Sequence, residues 1–324
     1  MRYVVIGAGA VGGTIGVRLH EAGRDVVLVA RGAHLAAIRE RGLRLDEPER
    51  SRAVRVPAVA TVTEVGWREG DVALLCTKTQ DTPPLLDELQ RAATDVPVVC
   101  VQNGVENERL ASERFAHVLG VCVMMPTEHL EPGRVVAYSG PVPGRLDIGV
   151  YPEGTDELSA AVAADLTAAG FASRPDAAIM RWKWWKLVVN LENVPEAVCG
   201  LADPDLRALV KAARAEGRAC LDAAGVAYVS TEESRERRVA GMTVQAVDGH
   251  ERTGGSTWQS LQRGAGSVEA DYINGEFVAL GEKYGVPTPL NRLLLETITS
   301  MAAAGERPGA HTASELLAAA GLPG

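Results

Sequence analysis

The sequence predicts an α/β chain in which an N-terminal doubly wound parallel sheet is followed by an all-α C-terminal domain. Three observations predict it. The chain opens on an apolar run, residues 3–6, that breaks into Gly7, Gly9 and Gly12 with the spacing G-x-G-x-x-G. Short apolar runs then alternate with helical patterns through the first half of the chain. From Asp176 onward the pattern is helical almost throughout.

Residues 3–6 read as a buried strand, 11–21 as a helix and 25–30 as a second strand. A glycine run at that strand-to-helix turn is the signature of a Rossmann nucleotide-binding unit. Gly7 permits the tight turn, Gly9 lets a pyrophosphate approach the backbone, and Gly12 allows close helix–strand packing. The loop Gly7, Ala8, Gly9, Ala10, Val11 and Gly12 then presents the helix's free N–H groups to the phosphates. The second strand, DVVLVA, ends in Arg31 with no carboxylate at its tip. A guanidinium there suits a 2′-phosphate, which a carboxylate would repel, so NADP is favoured over NAD. His34, in the same loop, is a second candidate for that pocket.

Residues 72–76, 98–101 and 120–125 read as further strands, and 135–138 with 145–150 as a late hairpin or edge pair. Ligands are expected at the carboxyl ends of such strands, where Lys78 and Asn103 fall in LLCTKTQDT and VCVQNGVENE. The domain boundary is placed at 174, giving a nucleotide-binding domain over 1–174 and a helical substrate and dimerisation domain over 175–324. Pro175 opens a long first helix that runs to Ala197. Helices over 204–224, 231–247 and 267–284 follow, with two more near the end.

Composition excludes several classes of function. The chain has 324 residues, enough for two cores. Its net charge of −9 argues against nucleic acid and anionic membranes as general partners. No apolar stretch approaches the roughly 20 residues that span a bilayer, and the N-terminus lacks the pattern of a signal peptide. Cys76, Cys100, Cys122, Cys199 and Cys220 stand singly, without metal-ligand spacing, as suits a reduced cytoplasm. Apolar helices such as residues 290–304 suggest a homodimer.

The chemistry is sought in MRWKWWKLVVNLENVPEA. On a continuous helix Lys186, Asn190 and Asn193 lie within about 60° of one another. Such a stripe is either a solvent face or a site. Trp182, Trp184 and Trp185 crowd the same turns and would partly desolvate a lysine, which lowers its pKa and lets it donate a proton. Glu269 opens the run EADYING, where the helix dipole alone would favour a carboxylate.

The combination of GAGAVG, CTKTQD, QNGVENE, KWWKLVVN and EADYINGEFVALGEKYGVPTPLN resembles the ketopantoate reductases over roughly residues 1–291. The resemblance implies NADPH-dependent reduction of a small 2-keto acid to a 2-hydroxy acid, in a cleft between a Rossmann and a helical domain. It implies that Lys186 protonates the developing alkoxide and that Glu269 organises that lysine, the substrate hydroxyl and the cofactor. It further implies that Asn190 orients substrate, that Asn103 touches cofactor and substrate, and that Lys78 helps bind the nucleotide. Lys183, one turn earlier, is the alternative donor.

The sequence departs from the family's pattern in the substrate half. Val194 stands where the second asparagine of the family's N-x-x-x-N-P run belongs, and Asn193 sits one residue early. The substrate-binding serine falls at Ser256 or Thr257, followed by Trp258. A relative acting on another small carbonyl or hydroxy acid is therefore the alternative, and a catalytically silent NADP-binding sensor is a third reading.

Overall fold

The computed structural model describes residues 1–249, 254–264 and 268–322. Strand β1 (Arg2–Ile6) turns into helix α1 (Ala10–Glu21), which returns the chain to β2 (Asp25–Val29). Helix α2 (Gly32–Arg41) leads to the antiparallel pair β3 (Leu43–Glu47) and β4 (Arg50–Val54), then to the short β5 (Ala58–Val59). The alternation continues with β6 (Asp71–Leu75), α3 (Thr82–Ala92), β7 (Val98–Cys100), α4 (Glu106–Ser112) and β8 (Val118–Met124). Four shorter strands follow, β9 (Thr127–Glu131), β10 (Arg134–Ala137), β11 (Ser139–Pro141) and β12 (Arg145–Val150), and then α5 (Glu157–Ala168).

Seven strands form one sheet in the order β12-β8-β7-β6-β1-β2-β5. All its pairings are parallel except that of β12 with β8. Successive side chains of a strand face opposite ways, and here both faces are buried. Tyr3 and Val5 join Val26, Leu28, Val72 and Leu74 in one apolar core, whereas Val4 and Ile6 join Ala73, Leu75, Val98 and Cys100 in the other. That explains the unbroken apolar runs, since a strand covered on both faces needs no polar alternation. A second sheet, β4-β3-β10-β9, packs on the other side of α1.

Helix α6 (Ile179–Asn190) comes next, then α7 (Asn193–Cys199) and α8 (Leu206–Ala224). After α9 (Thr231–Glu236) and β13 (Met242–Val244) the chain finishes with α10 (Ser256–Gln262), α11 (Asn274–Tyr284), α12 (Pro289–Ala304) and α13 (Ala313–Ala319). Two units result: Met1–Lys183 with Thr231–Arg252, and Trp184–Ser230 with Thr253–Gly324. The boundary read from sequence, at 174, precedes this division within α6. The segment carrying α9 and β13 goes with the first unit.

Four local expectations are corrected. Residues 135–138 and 145–150 do not form a hairpin. β10 pairs with β9 and β3, whereas β12 closes the edge of the main sheet against β8. The first helix starts at Ile179, not at Pro175, because Pro175 is still bridged to Ile148 of β12. It also breaks after Asn190. In an unbroken helix Pro195 would lack the N–H owed to Leu191 O and would crowd that carbonyl. The chain instead tightens through Leu191 N–Val188 O and Glu192 N–Val189 O bonds and restarts at Asn193, which puts Pro195 in the first turn. Helix 231–247 is not continuous: α9 ends before Arg237, whose guanidinium is held by Asp176 at 2.7 Å and stacks over Trp182 at 4.2 Å. Beyond it Met242–Val244 pairs with Ser139–Pro141. Ser267, where the sequence starts another helix, lies outside the described residues.

The second unit is held by a polar knot as well as by apolar packing. Helix α12 has no side-chain cap of its own and begins with Pro289, leaving the next N–H groups to be satisfied from elsewhere. Glu216 of α8 accepts from Leu290 N and Asn291 N, each at 2.9 Å, and from Asn291 Nδ2 at 2.8 Å. Asn291 is fully buried; it also donates to Ala213 O and accepts from Asn274 Nδ2. The apolar face of α12 (Leu290, Leu294, Ile298, Met301) is buried within the chain, so it does not supply the exposed surface from which a dimer is expected. Glu216→Ala should lower the melting temperature by about 5–10 °C, since charged hydrogen bonds of this kind contribute roughly 1.5–3 kcal/mol each. A thermal melt indistinguishable from wild type would mean that water caps α12 equally well.

Candidate functional site

In the first unit the glycine turn has the geometry its spacing requires. Gly7 adopts φ +100°, and a Cβ on Gly12 would lie 2.1 Å from the Gly7 carbonyl oxygen. Helix α1 therefore rests directly on the end of β1, a contact only glycine at 12 allows. A Cβ on Gly9 would meet nothing within 4 Å, so its backbone is open to approach. Ala10 and Val11 begin α1, whose N-terminal N–H groups have neither a side-chain cap nor an acidic residue beside them. A cavity of about 220 Å³ is lined by Gly7, Ala8, Gly9, Arg31 and His34, with Thr61 and Thr77 across from them. Arg31 itself is exposed, in the N-cap position of α2. These residues fit a dinucleotide phosphate: an open anion-binding helix end with a guanidinium at the tip of β2.

His34 is committed differently from the sequence expectation. Its Nδ1 accepts the Gly133 N–H at 2.9 Å, which leaves the proton on Nε2 to be donated to the Ala8 carbonyl at 2.7 Å. Both nitrogens are used and the ring is neutral, so His34 braces the glycine turn and is not a second cation for a phosphate. Burial pushes its pKa below the ordinary 6.5, against the opposing effect of the Ala8 bond.

Lys78 is the half-buried N-cap residue of the short 3₁₀ turn Thr79–Asp81 beyond β6, and Asn103 is half-buried just beyond β7. Those two strands are neighbours in the sheet. Lys183, the alternative proton donor, is engaged elsewhere. Its ammonium lies 2.7 Å from Glu108 Oε1, and both side chains are at most 2 % exposed. It also donates to Gln102 O at 2.9 Å and Val121 O at 3.3 Å, so the ammonium is held inside the first unit by an ion pair and two hydrogen bonds. Burial pushes the Glu108 carboxyl up while Lys183 pulls it back. The sequence carries no signal of this pair: Glu108 stands in the polar run QNGVENERL, where a solvated carboxylate is the ordinary expectation.

In the second unit Lys186 is half-buried on α6 and Asn190 is buried at its end. The break before α7 removes the single helical stripe, so Asn193 is placed by a new helix and by what packs on it. That partner is α10. A Cβ on Gly255 would lie 2.5 Å from Asn193 Oδ1 and 3.3 Å from Glu196 Oε2. Gly255 is the N-cap residue of α10, so Asn193 sits against the start of the helix whose first residues are Ser256, half-buried, and Thr257, buried. Three of the expected substrate residues are thereby gathered, with Gly255 and Glu196 as members the sequence reading missed. Val194 is fully buried. Glu269, half-buried, opens the 3₁₀ turn Glu269–Tyr272 instead of an α-helix. Among the described residues no three His, Cys, Asp or Glu side chains gather as a metal set, and no helix is long and apolar enough to cross a membrane.

A parallel sheet with an open glycine turn, followed by a helical unit carrying a lysine and a glutamate, defines a Rossmann-type oxidoreductase. The model of the ketopantoate reductase PanE/ApbA family matches residues 3–153, and that of the same family's C-terminal part matches 178–302. The 2-dehydropantoate 2-reductase of Archaeoglobus fulgidus is 30% identical over 311 residues, covering 92% of this chain and 96% of that one. The crystal structure of a PanE/ApbA family ketopantoate reductase from Ralstonia eutropha JMP134 superposes with a TM-score of 0.79 at 29% identity, covering 94% and 99% of the two chains. D-mandelate dehydrogenase with NADH and anilino(oxo)acetate shares the fold, with a TM-score of 0.77 at 21% identity over 94% and 99%. This chain belongs to the ketopantoate reductase family.

The neutral state of His34 has a pH signature. With its folded pKa below 6.5, its contribution to stability is complete above that pH and is lost as pH falls, because the unfolded chain takes up the proton first. The melting temperature of wild type should therefore fall relative to that of His34→Gln between about pH 7.5 and about pH 5.5. A difference that stays constant across that range would contradict a neutral, doubly bonded ring.

Proposed function

We propose that this enzyme reduces 2-dehydropantoate (ketopantoate) to pantoate with NADPH, with Lys186 as the proton donor. The observation that carries the reading is the open, uncapped glycine turn with Arg31 beside its cavity, in a chain of the ketopantoate reductase family. Gly7 to Gly12 would hold the pyrophosphate, Arg31 the 2′-phosphate and Lys78 the nucleotide, with Asn103 touching cofactor and substrate and Glu269 reaching both. When bound, NADPH supplies the hydride. The carbonyl oxygen of the keto acid then gains negative charge, which an ammonium about 3 Å away stabilises before giving up its proton. The engagement of Lys183 with Glu108 supports Lys186 as the lysine of α6 for this step. Glu269 would organise that lysine and, with Asn190, orient the substrate hydroxyl. Asn193, Ser256 and Thr257 would bind the rest of the substrate.

A second reading, reduction of a different small 2-keto acid, is favoured by Val194, a buried apolar residue where the family pattern has its second asparagine. A site built around particular hydroxyl groups discriminates strongly among analogues. Under either reading the partner is a small 2-keto acid. The enzyme is read as cytoplasmic, in keeping with its five free thiols. A homodimer is the proposed assembly, and the second unit exposes the large apolar side chains Leu201 and Tyr284.

The purified chain should consume NADPH with ketopantoate at a kcat/KM of about 10⁴ M⁻¹s⁻¹ or more, and faster than with other 2-keto acids or with NADH. Faster turnover of another member of such a panel establishes the second reading, and NADPH binding without any turnover establishes a sensor. Lys186→Ala should lower kcat about 10²–10⁴-fold while leaving NADPH affinity nearly unchanged. Wild-type turnover in that variant would remove Lys186 from the role.

A further inference from the structure

Beneath the loops that carry Lys78 and Asn103 lies a set of buried polar groups that the reaction does not use. Gln102 Nε2 donates to Thr82 Oγ1 at 3.0 Å, and that hydroxyl donates to Asn107 Oδ1 at 2.8 Å. Asn107 Nδ2 is shared between Thr79 Oγ1 at 3.1 Å and the Asn103 carbonyl at 3.3 Å. Thr79, Thr82 and Asn107 are all at most 1 % exposed. From the other side Lys183, paired with Glu108, donates to the Gln102 carbonyl.

Apolar side chains of similar volume often serve stability as well as a buried ion pair does, so stability alone does not account for this arrangement. Two of its bonds fall on consecutive carbonyls. Gln102 O belongs to the peptide plane before the Asn103 Cα, and Asn103 O to the plane after it. Peptide planes are rigid. Holding both therefore holds φ and ψ of Asn103, and with them the direction of its Cβ. The Thr79 and Thr82 bonds tie the same network to the turn that follows Lys78.

We propose that Lys183, Glu108 and Asn107 are positioning residues for Asn103, fixing the two peptide planes that aim its carboxamide. The proposal rests on the reading that Asn103 touches cofactor and substrate. Glu108 supplies the counter-charge that keeps the Lys183 ammonium at the Gln102 carbonyl, and Asn107 joins the two loops.

The test is a double-mutant cycle on the full-length enzyme, with the 2-keto acid that wild type turns over fastest. The measured quantities are kcat, KM and the NADPH dissociation constant, with circular dichroism as the check on folding. Asn107→Ala should lower kcat about 10–100-fold, as small misplacements of a site group do, and should weaken NADPH binding no more than Asn103→Ala does. In an Asn103→Ala background the same substitution should change kcat by less than about twofold, because no carboxamide remains to be aimed. The charge-free pair Lys183→Met with Glu108→Leu should behave likewise; if that variant does not fold, the Asn107 arm decides. Equal losses in both backgrounds would reveal a general structural role and overturn the proposal, as would wild-type kcat in Asn107→Ala. Wild-type kcat in Asn103→Ala would overturn the reading of Asn103 itself, a separate and recognisable failure.

Discussion

The first unit depends on the contact of α1 with the end of β1. With the Gly7 carbonyl 2.1 Å from where a Gly12 Cβ would stand, the helix cannot be displaced without opening the turn. That single approach sets three things at once. It aims the uncapped end of α1 along the sheet, it leaves Gly9 facing open space, and it brings the far side of α1 against the second sheet, where a Cβ on Gly13 would touch Leu43 and Val135 at 3.1–3.2 Å. His34 then secures the turn from outside by holding the Ala8 carbonyl. A phosphate-binding loop is thus built from backbone, with side chains acting on it indirectly.

Buried charge adds to backbone pairing in the second sheet and organises the segment after α9. Asp46, fully buried in β3, accepts from Arg44 at 2.7 Å, from Arg134 at 2.6 Å and from Ser51. Burial would raise its pKa, but these bonds outweigh it and hold the carboxyl below the ordinary range. Arg237 draws the segment after α9 onto Asp176 and lies close to Asp147. Removing one partner from such a pair strands the other charge in a poor solvent, which costs about 3–5 kcal/mol. These pairs are selective because their geometry has few substitutes.

The alternating core of the main sheet, the glycine turn and the helical second half were all legible in the sequence, because each follows from local periodicity or from a residue with one conformational use. The corrected elements were those settled by a distant partner. Val135 and Arg145 lie in two sheets because β3 and β8 claim them, and β-pairing of that range leaves no trace in spacing. Pro195 is a readable signal: it forbids the unbroken stripe of Lys186, Asn190 and Asn193. Arg237 ends a helix for a reason that lies 61 residues earlier, at Asp176. The Glu108–Lys183 pair joins residues 75 apart (183 − 108), and only the fold reveals it.

The blocks that carry the family resemblance divide between chemistry and construction. In QNGVENE, Asn103 is the proposed site residue, whereas Asn107 and Glu108 are internal partners of the loop. In EADYINGEFVALGEKYGVPTPLN, Glu269 alone is assigned to the reaction. Asn274 and Asn291 are spent on each other and on the Glu216 cap of α12. Asn274 and Asn291 in that block therefore report how the second unit is assembled. In the proposed reading substrate choice rests on other residues: Asn193 against Gly255, with Ser256 and Thr257 at the start of α10 and the buried Val194 next in the chain. These are the positions at which this chain departs from the family's pattern, so strength of resemblance and identity of substrate are carried by different parts of the sequence. A close match in the first leaves the second to be decided by the side chains at the start of α7 and α10.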